Sequence, residues 1–272
     1  MVKEEAGLIE HRNKEIRPTS SPRMSVMVDL VFGDLTLIDV GMAVTTGIIA
    51  SVILTAAYYM SGSGVARWKP RKLVHTGMGT VVGLTLVGYS NLSGPVFAAG
   101  IFLFILFYSW AHKSELIGEL LSAGSRDGES SQNTFMAGFM GMVSFGTAFL
   151  LFFSRPAIFV AAILAVAWGD AAGEAIGRHY GGKLIKRKYR NKTFEGSVGV
   201  FLFTSLAVIT SLIVYSPDTY VLLVIPQIFV IALLSSIAEL LSVGWTDNFF
   251  IPMITALAMW IFIFPGSPLF IV

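Results

Sequence analysis

PAIFVAAILAVAWGDAAGEAIGR, residues 156–178, decides how this chain folds. Its first half is apolar almost without a break, and it then runs into charge at helical spacing. Gly169, Gly173 and Gly177 recur every fourth residue and form a stripe on which another helix can approach closely. Asp170, Glu174 and Arg178 recur with the same spacing on the adjacent stripe. A stretch this long and apolar reads as a membrane-crossing helix, with Arg178 at its boundary. At 1.5 Å per residue, Glu174 then lies about 6 Å and Asp170 about 12 Å toward the bilayer. A carboxylate in such a place costs roughly 2.5–3.5 kcal/mol on insertion scales. A divalent cation is one way to offset two of them on one face, since hard cations prefer carboxylate oxygen. A Glu174–Arg178 pair, with Asp170 bonded to a neighbouring helix, is the other.

The rest of the chain supports a lipid environment. Of 272 residues 54% are hydrophobic and only 13% charged, against about 25% charged in a soluble domain. The expected fold is all-α, a polytopic membrane bundle of about eight transmembrane helices. The apolar stretches lie at 36–60, 73–89, 93–109, 134–153, 156–177, 197–215, 220–241 and 249–265. Residues 36–272 read as a single transmembrane catalytic domain. Residues 1–35 read as a polar tail without the apolar stretch of a signal peptide, followed near 24–35 by an interfacial helix or an extension of the first span. Net charge is +2, which gives no footprint for nucleic acid, and the absence of Cys excludes disulfides and thiolate chemistry.

Basic residues set the sidedness. The loops at 61–72, 110–133 and 178–196 carry four, two and seven Lys/Arg, whereas the alternate loops carry Arg155 alone. The basic face is therefore expected to be cytoplasmic, and a Cys-free chain of this size suits a prokaryotic plasma membrane. The N-terminal tail, with five Lys/Arg, would fall on the opposite side of an eight-span bundle, which conflicts with that rule.

Every polar cluster falls on this one face. Gly177 to Lys183 spells the start of a P-loop, but Leu184 stands where Ser or Thr should bind Mg²⁺ and a membrane helix precedes it in place of a strand, so a Walker site is rejected. Its glycines, Gly177 and Gly181, and the surrounding cations still suit phosphate. Lys192-Thr193-Phe194-Glu195-Gly196-Ser197 leads into the next span, where Thr193 or Ser197 can cap a helix whose N-terminus faces an anion. Arg71 and Lys72 open the second span, and His75 sits one turn inside it. The 110–133 loop holds Glu115 and Glu119, which suit an amphipathic surface helix, and then Arg126-Asp127-Gly128-Glu129. Glu239 ends the seventh span, and Asp247-Asn248 follows. Acids for Mg²⁺, bases for phosphate and a site at leaflet depth together describe phosphate chemistry on a lipid.

At these residues the chain resembles the polyprenol kinase family, which includes dolichol kinase, phytol kinase and CTP-dependent diacylglycerol kinase. The matching pieces are RKLVH (71–75), RDGE (126–129), WGDAAGEAIGRHYGGK (168–183), KTFEGSVGVF (192–201) and ELLSVGWTDNFFIP (239–252). The resemblance implies transfer of the γ-phosphate of CTP to a polyprenol-type alcohol, with Mg²⁺ and membrane lipids as partners. It implies metal–triphosphate binding by Asp170, helped by Glu174 or Asp247. Phosphate contacts fall to Arg71, Lys72, Gly177, Arg178, Gly181, Lys183, Lys192, Thr193, Gly196, Ser197 and Asn248. His75 or Glu195 accepts the alcohol proton, and Glu239, Arg126 and Glu129 stand further out. A phosphatidate cytidylyltransferase shares the KTFEG segment, but its H-G-G-x-x-D-R-x-D pattern is lacking here. A transporter would place charge nearer the midplane and show paired halves. The glycine stripes suit packing within one chain or between two copies, leaving a homodimer open.

Overall fold

The computed structural model describes residues 32–66, 68–112, 131–152, 154–182, 184–185, 192–242 and 246–269. The tail through residue 31, the loop with Arg126 and Glu129, and Lys183 lie outside the described residues. Residues 32–36 precede the first helix without helical structure, so the interfacial helix expected near 24–35 does not extend over its last four positions.

Each of the eight apolar stretches coincides with helix. In chain order these are α1 (Leu37–Gly62), α2 (Trp68–Thr85), α3 (Ser93–His112), α4 (Ser131–Leu151) and α5 (Pro156–Leu164). A π turn (Ala165–Asp170) then leads directly into α6 (Ala171–Tyr180), followed by α7 (Phe194–Tyr215), α8 (Ile225–Leu241) and α9 (Asp247–Phe262). Four continuous helices are long and apolar enough to cross a membrane: 37–62, 156–180, 194–215 and 221–241. Those at 93–105, 139–151 and 247–262 are apolar but shorter. The second helix starts at Trp68, five residues before its apolar stretch, which makes Arg71 and Lys72 helical. A two-residue antiparallel ladder joins β1 (Leu184–Ile185) to β2 (Lys192–Thr193). It was not foreseen, and it sets Lys192 opposite Ile185.

The 156–180 helix is the core. In an apolar 18-residue stretch of it 78% of the residues are buried, against 6% in that of α1, which faces outward along most of its length. A helix apolar all round has to be enclosed by others, and α2, α4, α7 and α9 pack around this one. Glycines let it approach α7 closely. A Cβ on Gly173 would stand 2.6 Å from Val200 Cγ2, and one on Gly196 would stand 2.8 Å from the carbonyl oxygen of Gly173. The second clash is with backbone, which cannot rotate aside. Gly196→Ala is therefore expected to push α6 and α7 apart and lower stability by about 1–3 kcal/mol. Thermal unfolding in detergent would show this, with helix content unchanged before the transition.

A second anchor lies at the other end of α2. Thr36 caps α1, and the fully buried Asp39 completes a capping box with it. The same carboxylate accepts hydrogen bonds from Ser90 N (2.9 Å) and Ser90 Oγ (2.7 Å). Four N–H and O–H donors thus hold it, and tie the start of α1 to the turn after α2.

Candidate active site

The site grows from the π turn. Such single widened turns interrupt α-helices and gather at functional positions. Here it presents two backbone carbonyls to α2: Val166 O lies 3.1 Å from His75 Nε2, and Ala167 O accepts from Thr76 Oγ1 at 3.0 Å. A carbonyl can only accept, so His75 Nε2 carries the hydrogen, and in the neutral ring Nδ1 is the basic nitrogen. Trp168 is held in turn by its indole N–H, which donates to Thr80 Oγ1 at 2.7 Å.

One turn further toward the basic end, α2 brings its cations onto the acidic stripe. Lys72 Nζ pairs with Asp170 Oδ2, donates to Asp170 O at 3.2 Å and reaches Glu174 Oε2 at 3.1 Å. Arg71 pairs with the same Glu174 Oε2, and Arg178 grips Oε1 at 2.9 Å. The Lys72, Asp170 and Glu174 side chains are 8%, 11% and 6% exposed, so these charges meet away from solvent. Arg178 is half-exposed and lies over the Trp68 ring, 5.6 Å from its centroid. Basic side chains on α2 and α6 thus meet both Asp170 and Glu174. Glu174 is committed through both oxygens, and Asp170 meets fewer basic groups.

A second pair closes the opposite wall. Lys192 Nζ pairs with Glu239 Oε1 and donates to the Glu239 carbonyl at 3.3 Å. Thr193 caps α7 by accepting from Gly196 N at 3.1 Å, and Ser197 Oγ donates to Thr193 O at 3.4 Å. Asp247, 2% exposed at the start of α9, acts electrostatically on both His75 and Glu239, and Asp170 acts on Glu239. Asn248 N donates to Asp247 Oδ1 at 2.9 Å. Arg71, Lys72, His75, Asp170, Glu174 and Arg178 thus form one cluster, and Glu239 and Asp247 join Lys192 to it.

The remaining candidates have other surroundings. Glycine at 177 and 196 is explained by packing, since a Cβ on Gly177 would meet Thr193 Oγ1 at 2.7 Å and one on Gly196 would meet Gly173 O. Gly181 ends α6, where a Cβ would strike the Gly177 carbonyl. Glu195 lies beside Gly182, in the first turn of α7. Sequence reasoning missed Trp68, Thr76 and the Lys192–Glu239 pair. The pair joins residues 47 apart, and no spacing rule predicts it.

The acid-rich, base-rich cluster is suited to polyphosphate. Among the described residues no group of three or more His, Asp or Glu is gathered to hold a metal. Mg²⁺ seldom needs such a cage, because it usually takes one or two carboxylates and completes its shell with substrate phosphates and water. The donor set therefore fits Mg²⁺ arriving on a nucleotide.

Two curated proteins resemble the chain over most of its length. It is 29% identical over 222 residues to CTP-dependent diacylglycerol kinase 1 of Saccharomyces cerevisiae, spanning 70% of this chain and 71% of that one. It is 28% identical over 229 residues to phytol kinase of Synechocystis sp., spanning 82% and 91%. No family model and no solved structure matches the chain.

Proposed function

We propose that the chain, a phosphotransferase with an alcohol acceptor, belongs to the polyprenol kinase family and transfers the γ-phosphate of CTP to an isoprenoid alcohol at the charged end of the bundle. One observation carries the reading. Two carboxylates at the end of the most buried span are gripped by two consecutive bases, Arg71 and Lys72, of a neighbouring helix. A triphosphate can draw on those bases while Asp170 faces its metal. CTP as donor is supported by the likeness to the CTP-dependent yeast kinase.

In the reaction an O–P bond forms between the alcohol oxygen and the γ-phosphorus. The bond from that phosphorus to the β–γ bridging oxygen breaks, and CDP leaves. Such transfer is driven mostly by positioning and charge neutralisation. Arg71, Lys72, Arg178 and Lys192 hold phosphate oxygens. Asp170, with Asp247 across the cluster, would hold Mg²⁺, which when bound neutralises charge on the phosphates. Glu174 anchors the bases of α2 and α6. His75 Nδ1 is the proton acceptor, because its other nitrogen is fixed by Val166 and the ring lies beside Asp170 (Nε2 to Oδ2, 3.8 Å).

Eight spans with this cluster on the cytoplasmic face account for the basic residues. The loops at 61–72 and 178–196 both lead into it, and the turn at 90–92 at the other end of α2 holds no Lys or Arg. The test uses detergent-purified protein, mixed lipid alcohols and CTP labelled at the α or γ position. Label from γ is expected in the lipid. Label from α in the lipid, with pyrophosphate released, would mean cytidylyl transfer and end the kinase reading.

A further inference from the structure

An apolar groove of about 580 Å³ runs beside the charged cluster, and neither relative's name accounts for it. Its walls come from Trp68 on α2, Trp168 on the π turn, and Phe203 and Leu206 on α7, while Ala171 and Ala175 form its floor. The groove is made by missing side chains: alanines on α6 lie between large residues on either side. Lys72 lines the groove and also pairs with Asp170 and Glu174, so one residue belongs to both. Phe203 and Leu206 are 40% and 47% exposed on a helix with the length and composition of a membrane span, so the groove opens sideways toward lipid. A second apolar hollow, along α1 near Val44, Ile48 and Tyr59, touches none of the charged residues.

Resting on the kinase reading, we propose that the groove between α2, α6 and α7 holds the hydrocarbon chain of the acceptor alcohol and measures its length. Continuity with the phosphate site is the argument. A chain lying in the groove would bring its terminal hydroxyl to Lys72, next to Asp170, whereas the α1 hollow would leave it remote. A tail drawn from a bilayer gains little hydrophobic free energy by entering an apolar groove, because lipid tails are as apolar as leucine. The groove therefore acts by orienting the hydroxyl, and filling it would change which alcohol reacts more than how tightly alcohols bind.

The test is a one-pot competition between a C10 and a C20 isoprenol, with CTP, in proteoliposomes, reading the ratio of phosphorylated products. Ala175→Phe is expected to shift that ratio about tenfold toward the shorter alcohol, roughly what one misplaced group contributes to discrimination in an apolar pocket. Ala175→Val is expected to shift it less, in the same direction, and keeps the question answerable where the larger side chain prevents folding. Ala56→Phe, in the α1 hollow, should leave it unchanged. An unchanged ratio in Ala175→Val, with turnover retained, means that the groove holds ordinary bilayer lipid, and the proposal falls while the kinase reading stands. Wild-type protein that phosphorylates neither alcohol, nor any other lipid alcohol, removes the kinase reading itself.

Discussion

Asp170→Asn is expected to reduce γ-phosphate transfer by at least ~10²–10³-fold, the scale on which a single preorganised electrostatic group acts. The substitution keeps the side chain's shape and removes its charge. The protein should nevertheless remain folded and inserted, because Lys72 Nζ keeps its 3.1 Å contact with Glu174 and its 3.2 Å bond to the Asp170 carbonyl. Turnover with γ-labelled CTP, together with size-exclusion elution and thermal unfolding in detergent, separates the two effects. Activity within a few-fold of wild type would remove Asp170 from the metal–phosphate role and leave it a structural partner of Lys72.

Lys72→Met should do the reverse and act first on stability. Methionine fills a similar volume but leaves Asp170, 8% exposed overall, without its nearest cation. Breaking one side of a buried pair typically destabilises by about 3–5 kcal/mol, because the surviving charge is uncompensated. The double variant Lys72→Met/Asp170→Asn removes both charges and should recover most of that loss without recovering any turnover. Arg178→Ala is a useful contrast, since its side chain is 52% exposed and pairs of that kind contribute about 1 kcal/mol or less. Equal unfolding temperatures for Lys72→Met and wild type would show that the pair does not hold the bundle.

Much of this was legible in the chain itself. Eight apolar stretches became helix because a backbone in lipid has to satisfy its own hydrogen bonds, and composition carries that signal. The acidic stripe at 170 and 174 was legible too, because helical spacing fixes which residues share a face. Its partners were not. Lys72 and Asp170 are 98 residues apart, and Lys192 and Glu239 are 47 apart, so only the packing of α2 and α8 determines those pairs. Asp39 gave no warning either, since a lone acid near a helix start reads as an ordinary cap until the distant Ser90 is seen to share it.

The widened turn at 165–170 implies an unusual tolerance to change. A π turn holds one residue more than the α-helical turn it replaces, so losing one residue between Ala165 and Gly169 restores regular helix while everything after it keeps its phase. Asp170 and Glu174 would stay opposite Lys72 and Arg71, and the loss would fall on the carbonyls of Val166 and Ala167 that now meet His75 and Thr76. Descendants of this sequence should therefore keep the bundle's packing through such a deletion while losing the setting of His75.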